Sequence, residues 1–143
     1  MIRTYKDYDG DIHESCDVCV IGSGPGGGVV AKELAEKGFS VVLLEEGGHY
    51  TVNEWDGKPV SGMKNLYRGG GSTGTMGRPF ISITLGKCIG GTSTVNSATC
   101  FRTPGAILKK WRDELGLDAM SEKILDPYFD RVEKIINVTE LTW

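Results

Sequence analysis

The fold of this chain is decided by the stretch Cys19-Val20-Ile21-Gly22-Ser23-Gly24-Pro25-Gly26-Gly27-Gly28. An apolar run ends here in a Gly-x-Gly-x-x-Gly turn, and a helical pattern follows as far as Lys37. A second apolar run, Val41-Val42-Leu43-Leu44, then leads into the acid Glu45. A strand, a glycine turn, a helix, a strand and an acid in this order form the context that the dinucleotide-binding fingerprint requires. The sequence therefore predicts a parallel βαβ unit over residues 16–45.

Each residue of the fingerprint has a physical task. Gly22 lets the chain turn sharply out of the strand, and Gly24 lets the backbone approach a pyrophosphate, because neither residue has a Cβ. Gly27 lets the helix pack closely on the strand, and the positive end of the helix dipole faces the phosphates. Glu45 can accept hydrogen bonds from the two hydroxyls of an adenosine ribose and would repel a 2′-phosphate. The pattern therefore favours NAD or FAD over NADP.

Length and composition exclude several classes of protein. A chain of 143 residues with 39% hydrophobic residues and a net charge of −3 is typical of one globular domain. Its pI of about 5.4 and scattered basic residues give no footprint for nucleic acid. No apolar run approaches the roughly 20 residues of a membrane span. Residues 1–15 are polar, which predicts an extended arm and no secretory signal, so the expected location is cytoplasmic.

The four cysteines are predicted to be thiols that bind no metal. Cys16 and Cys19 match C-x-x-C, but a zinc site needs a second pair of ligands, and the only histidines are His13 and His49. Cys19 falls inside the first predicted strand, where a small apolar side chain suits a buried sheet. The second strand is apolar on both faces, which is typical of a strand buried in a parallel sheet.

Residues 46–104 are predicted to be a long irregular region. Twelve of the 21 glycines lie within residues 47–91, and no helical period persists there. A loop of this length in a compact domain is usually functional. The alternation of apolar and polar residues in Arg78 to Leu85 predicts one half-buried strand. The pair Gly90-Gly91 and the hydroxyl and amide side chains after it can bind a polar ligand or form only a hydrogen-bonded loop.

Residues 105–143 are predicted to be helical. Thr103 and Pro104 suit the N-cap and first position of one helix, and Gly116 ends it. Its apolar face consists of Ile107, Leu108, Trp111 and Leu115. A last helix is predicted to begin at Asp126-Pro127. The side chains that it is expected to bury are Phe129, Val132 and Ile136.

Two signatures in order resemble the amino-terminal part of the glucose-methanol-choline (GMC) family of flavin oxidoreductases. The first runs from Val20 to Gly47, and the second from Gly86 to Asn96. The resemblance extends from about Asp17 to the end of the chain. The residues of the second signature are most similar to those of the long-chain alcohol oxidase branch of the family.

The resemblance implies an α/β fold, an incomplete Rossmann-like domain that binds FAD. The residues that it implies for FAD binding are Gly22, Ser23, Gly24, Gly27, Glu45, Gly90, Gly91, Thr92, Asn96 and Thr99. Some relatives attach the flavin through a histidine just before the asparagine, and Val95 stands there in this chain. Non-covalent FAD is therefore expected.

The resemblance also implies oxidation of a small-molecule alcohol to an aldehyde or ketone. The family's catalytic histidine belongs to its distal half, and neither His13 nor His49 matches it, so no catalytic residue is predicted. We expect the chain to be part of a longer enzyme or to be completed by a second chain. The alternative is a non-catalytic nucleotide-binding or interaction fragment. A flavin disulfide reductase would need two nearby cysteines shortly after the Gly-Gly-Thr segment, where this chain has Ser93 and Val95-Asn96 instead, with Cys100 alone.

Overall fold

A computed structural model describes residues 1–140 of the chain. These residues form two compact units, Met1–Asn96 and a second unit that begins at Ser97. In the first unit a short 3₁₀ turn, Tyr5–Asp7, precedes strand β1 (Val18–Ile21), helix α1 (Pro25–Glu36) and strand β2 (Val41–Leu44).

The two strands are parallel, with Val18 opposite Val41 and Ile21 opposite Leu44. Helix α1 connects them and packs against both. The predicted βαβ unit, and with it the α/β fold class, is confirmed.

Helix α1 ends in a Schellman motif. Gly38, with φ of +92°, donates its N–H to the carbonyl of Ala35 at 3.0 Å, and Phe39 donates to Leu34 at 3.2 Å. Only glycine adopts this left-handed conformation without strain, so the helix stops where the sequence predicts.

The strand pair is more exposed than its sequence predicts. Ile21 is 85% exposed and Leu44 52% exposed, and Cys19 is also exposed. The predictions that Cys19 is a core residue and that the second strand is buried on both faces are therefore wrong for this structure. Helix α1 packs on both strands.

The glycine-rich region contains more regular structure than predicted. Helix α2 (Pro59–Leu66) lies within it, followed by 3₁₀ turns at Arg68–Gly71 and Gly91–Thr94. Pro59 is the first residue of α2, a favoured position because the missing N–H of proline is not needed there. Leu66 and Cys88 are the buried apolar residues of this region.

The strand predicted for Arg78 to Leu85 is absent. Two backbone hydrogen bonds, between Thr75 and Ile81 and between Ile83 and Thr73, and one isolated bridge at Ser82 join this segment to the chain before it. The hydroxyls of Thr73 and Thr75 add two more hydrogen bonds between the same residue pairs. Phe80 is 68% exposed. This pairing is too short to form a strand. No described neighbouring element covers the apolar side chains of the segment, so they are not buried despite the alternating pattern.

The second unit consists of helices α3 (Gly105–Leu115) and α4 (Glu122–Ile135). Helix α3 begins one residue later than predicted, because the carbonyl of Pro104 accepts the first helical hydrogen bonds. On its predicted apolar face, Leu108 is 1% exposed. Gly116 follows the last residue of α3, as predicted.

Helix α4 begins before the predicted Asp126-Pro127. The carbonyl of Ser121 accepts hydrogen bonds from Ile124 and Leu125, and Pro127 lies inside the helix, where it removes one backbone donor. Val132 and Ile136 are exposed, and Phe129 is only half-buried. The predicted burial is wrong for Val132 and Ile136, whereas the Phe129 ring is partly covered by the Arg102 guanidinium, 5.7 Å from the ring centroid. No helix among residues 1–140 is long and apolar enough to cross a membrane.

Candidate functional site

The turn after β1 and the Gly90-Gly91 turn meet backbone to backbone. A Cβ built on Gly91 would lie 2.9 Å from the Cα of Gly24, closer than real Cβ contacts. Gly91 also has φ of +59°, which disfavours any residue with a side chain. Two stretches that are far apart in the sequence therefore form one surface, and glycine is required at their junction.

The second stretch is held there by the chain that follows β2. Gly48 forms a parallel bridge with Cys88, and Ile89 donates its N–H to the carbonyl of Gly48 at 3.0 Å. A Cβ on Gly47 would overlap the backbone of Lys87 and Cys88. Gly91 then donates its N–H to the carbonyl of Cys88 at 2.8 Å, which closes the turn. This pairing extends the parallel arrangement beyond β2.

Both glycine stretches line one cavity of about 660 Å³. Its lining includes Gly22, Gly24, Glu45, Gly86, Gly91 and Thr92. A second cavity of about 850 Å³ lies next to Ser23, Glu45 and Gly90. The polar residues Arg3 and Thr4 of the N-terminal arm line this second cavity, a position that the sequence did not predict.

The N-terminus of helix α1 lies at the first cavity and has backbone N–H groups available to an anion. Gly24 is the N-cap and makes no side-chain capping hydrogen bond, and the first turn contains no acidic residue. The first helical bond joins the N–H of Gly28 to the carbonyl of Gly24 at 2.9 Å, so the N–H groups of Gly26 and Gly27 precede the helical ladder. A Cβ at Gly24 would meet no protein atom within 4 Å, so this side of the turn is open. Such an arrangement suits a phosphate group.

Glu45 is connected to the glycine turn by its carboxylate. Oε2 accepts from the N–H of Ser23 at 2.9 Å and from the Ser23 hydroxyl at 2.6 Å, and Oε1 accepts from the N–H of Gly47 at 2.8 Å. A carboxylate has about four acceptor positions, so Oε1 retains one for a ligand hydroxyl. The sequence predicts two ribose hydroxyls at this acid, and the second would require the Ser23 hydroxyl to move.

Burial of Glu45 raises its pKa, but hydrogen bonds from the Ser23 hydroxyl and from the N–H groups of Ser23 and Gly47 outweigh burial. The net effect is a pKa below the ordinary value of a glutamate. Glu45 is therefore a carboxylate, and an acceptor only, at neutral pH.

Besides Glu45, the charged residues Glu46 and Arg68 line the first cavity. Glu46 pairs with Arg68, and Lys87 Nζ lies 3.7 Å from Glu46 Oε2. Arg68 lines the cavity, although its position in the sequence gave no signal of this. The 3₁₀ turn and the hydrogen bond from the Arg68 N–H to the carbonyl of Leu85 bring it there.

Asn96 and Thr99, which the sequence also predicts to bind the cofactor, make local contacts. Asn96 Nδ2 donates to the carbonyl of Ser93 at 3.1 Å, and Asn96 lines neither of the two cavities. Thr99 belongs to the second unit, where its hydroxyl lies 3.3 Å from that of Ser97. Thr92, by contrast, lines the first cavity, and its hydroxyl accepts from the N–H of Gly86 at 3.2 Å.

Two protein-family models match the segments of the chain that form this site. Residues 20–53, which include the end of β1 and all of α1 and β2, match the model of an NAD(P)-binding Rossmann-like domain. Residues 63–142 match the model of the GMC oxidoreductases. The chain belongs to the GMC oxidoreductase family. The resemblance carried by the two glycine signatures is thus confirmed, and members of this family are flavoproteins, which agrees with the predicted class of flavin oxidoreductase.

Several proteins are similar to this GMC chain. An uncharacterized GMC-type oxidoreductase of Mycobacterium tuberculosis is 44% identical over 85% of the chain and 20% of the relative. A long-chain-alcohol oxidase of Arabidopsis thaliana is 36% identical over 90% of the chain and 17% of the relative. The crystal structure of pyridoxine 4-oxidase from Mesorbium loti matches with a TM-score of 0.63 and 25% identity, covering 80% of this chain and 24% of that one. The GMC chain spans about a fifth of the length of these curated relatives.

The described part of the GMC chain contains no group of three or more His, Cys, Asp or Glu side chains that could hold a metal ion. All four of its cysteines are free thiols, and Cys88 is buried beneath the Gly90-Gly91 turn, with its Sγ 3.9 Å from the carbonyl of Gly91. Cys88 therefore packs against the turn, and the sequence did not predict this.

Proposed function

We propose that this chain is the FAD-binding portion of an oxidoreductase that oxidises an alcohol to an aldehyde or ketone. The observation that carries the proposal is the junction of Gly24 with Gly91 at a cavity that Glu45 also lines. The family supports the flavin, and the names of the relatives, a long-chain-alcohol oxidase and a pyridoxine 4-oxidase, support oxidase chemistry.

The residues present fit FAD. The uncapped first turn of α1, with Gly22 and Gly24 before it, offers backbone donors to the diphosphate. Glu45 Oε1 offers an acceptor to the adenosine ribose. Gly90, Gly91 and Thr92 would then face the flavin half of the cofactor, and we assign Asn96 and Thr99 to the same half.

Bound FAD would accept the hydride that leaves the alcohol carbon. The role of the chain's own residues is to bind and orient the cofactor. Loss of the hydroxyl proton also requires a base, and neither histidine of this chain is assigned that role. We propose that the base and the substrate pocket belong to polypeptide outside this chain.

The surface of the first unit supports this division. A two-stranded sheet is marginally stable alone, and β1 pairs with β2 along one edge, while the apolar side chains of Ile21 and Leu44 are exposed. The relatives are about five times longer than the matched region. We propose that further chain, in the same polypeptide or in a partner, covers these side chains.

Titration of the purified chain with FAD tests the proposal. Binding should quench flavin fluorescence and stabilise the chain by about 2.7 kcal/mol at a ligand concentration of 100 Kd. NAD and NADP are the comparison ligands, and NADP should bind most weakly because Glu45 repels the 2′-phosphate. With Val95 before Asn96, denaturation should release all of the flavin.

Two alanine variants separate binding from folding. Gly24→Ala places a methyl group in open space toward the cavity, so it should fold normally but weaken FAD binding. Gly26→Ala, in the same turn, also meets no atom within 4 Å and serves as the matched control. Equal FAD affinities for the two variants would refute the close approach to the cofactor assigned to Gly24. No affinity in the wild type, even with the rest of the protein supplied, would favour a non-catalytic fragment.

A further inference from the structure

Ser23 uses both of its hydrogen-bond donors on one carboxylate oxygen. Its N–H and its hydroxyl donate to Glu45 Oε2, at 2.9 Å and 2.6 Å. The side chain of Ser23 is shielded from most of the solvent, as is that of Glu45. A serine has only these two donors, so Ser23 has none left for a phosphate group.

The Ser23 hydroxyl also accepts a hydrogen bond from the second glycine stretch. The N–H of Gly90 donates to Ser23 Oγ at 3.1 Å. A continuous path therefore runs from the Gly90 amide through the Ser23 hydroxyl to the Glu45 carboxylate. In the described part of the first unit, this is the side-chain hydrogen bond that connects the Gly22–Gly24 turn to the Gly90-Gly91 turn.

We propose that Ser23 is a positioning residue that fixes the Glu45 carboxylate and the Gly90-Gly91 turn relative to each other, so that both ends of the cofactor site form together. This inference rests on the proposed FAD site and assigns Ser23 a different task from the direct cofactor contact that the sequence suggests. The hydroxyl acts through its two neighbours, and it touches no reacting atom.

The polarity of the path supports this role. The hydroxyl donates to a charged acceptor, which makes the bond stronger than one between neutral groups. A donated hydrogen bond in turn polarises the hydroxyl oxygen toward the Gly90 N–H. Removing the hydroxyl leaves both the carboxylate and the Gly90 amide with one partner fewer, at a junction where the backbones already touch.

The chain contains a matched control at the opposite end of the strand pair. Ser40 donates its N–H and its hydroxyl to Asp17 Oδ2, at 2.8 Å and 2.6 Å, and the Ser40 hydroxyl accepts from the N–H of Asp17 at 2.9 Å. The chemistry repeats that of Ser23 and Glu45, but no glycine stretch is attached. Ser40→Ala therefore removes the same bonds without reaching the cofactor site.

The experiment compares Ser23→Ala, Ser23→Thr and Ser40→Ala in the full chain. Two measurements need no cofactor: the NMR titration of the Glu45 carboxyl carbon and the hydrogen exchange rate of the Gly90 amide. A third is the Kd for FAD, from flavin fluorescence. The other ionisable groups around Glu45 are the same in all variants: Arg3, Glu46, His49 and Arg68.

In Ser23→Ala we expect the pKa of Glu45 to rise, the Gly90 amide to exchange several-fold faster, and the Kd for FAD to increase about tenfold, as for one lost bond to a charged group. Ser23→Thr retains a hydroxyl and should restore all three values. Ser40→Ala should raise the pKa of Asp17 and change none of the three.

Unchanged Glu45 titration and Gly90 exchange in Ser23→Ala would overturn the positioning role. If Ser23→Ala does not fold, the wild type still decides: a Glu45 that titrates at or above the ordinary value for a glutamate refutes the hydrogen-bonded path. Failure of the wild type and of every variant to bind FAD refutes cofactor binding by this chain, while the two cofactor-free measurements still decide the role of Ser23.

Discussion

Replacing Gly27 with alanine tests the closest approach between helix α1 and strand β1. A Cβ on Gly27 would overlap the carbonyl oxygen of Gly22, and it would lie 3.1 Å from the Gly22 carbonyl carbon and 3.3 Å from Val20 Cγ1. The overlapped atom belongs to the backbone, so no side-chain rotation relieves the clash. Helix α1 would have to move by about 1 Å, and overpacking of this kind costs about 1–3 kcal/mol.

Gly26→Ala is the control for this substitution. It lies one residue earlier in the same turn, and its Cβ would meet no atom within 4 Å. Alanine is favoured over glycine in a helix by about 1 kcal/mol, and this gain is similar in both variants. The difference between their free energies of unfolding therefore isolates the clash, and we expect about 1–3 kcal/mol, or roughly 3–12 °C in Tm.

Urea denaturation followed by circular dichroism, without cofactor, measures this difference. Gly26→Ala should be slightly more stable than the wild type, and Gly27→Ala should be less stable than Gly26→Ala. If the two variants have equal unfolding free energies, the helix does not lie against the turn as described, and the close packing assigned to the third glycine of the fingerprint is refuted.

Three further predictions concern other parts of the chain. Because the pKa of Glu45 is lowered in the folded protein, its contribution to stability is complete above the ordinary glutamate pKa and is lost as the pH falls through the lower folded value. Glu45→Gln should therefore reduce the fall of the unfolding free energy at acid pH. Leu108→Ala should cost the second unit about 2–5 kcal/mol, whereas Leu115→Ala, at a side chain that is 63% exposed, should change its melting little. A thiol reagent should label Cys19 rapidly and Cys88 only on unfolding, and equal labelling rates in native protein would contradict the described burial.

The βαβ unit could be predicted because its signals are local. The glycine spacing, the helix stop at Gly38 and the two apolar runs lie within about 30 residues, and a βαβ unit of this size is specified by that pattern. The tasks assigned to Gly22, Gly24 and Gly27 depend on the same local order. The family resemblance implied that Gly24 and Gly91 bind the same cofactor, but their direct contact was not predicted, because periodicity does not encode which distant loops meet.

The wrong predictions concern burial, which depends on whether another part of the chain covers a face. Alternation in Arg78 to Leu85 and the apolar face of α4 identify side chains that would share a face, but they do not show that another element covers it. The same applies to Cys19 on β1. Arg68 lies beside the cavity because the chain turns back toward it about 20 residues after β2. No rule of sequence spacing predicts that a loop returns to a particular site.

The junction of Gly24 with Gly91 has a consequence for how this protein can change over generations. The two loops meet main chain to main chain, so no exchange of side chains at that point can improve the fit, and almost any exchange at position 91 damages it. In a saturation library selected for folded protein, position 91 should tolerate glycine alone, while Thr92, its immediate neighbour, should accept many residues. The fit at this junction therefore depends on backbone conformation alone, and side-chain substitutions cannot adjust it.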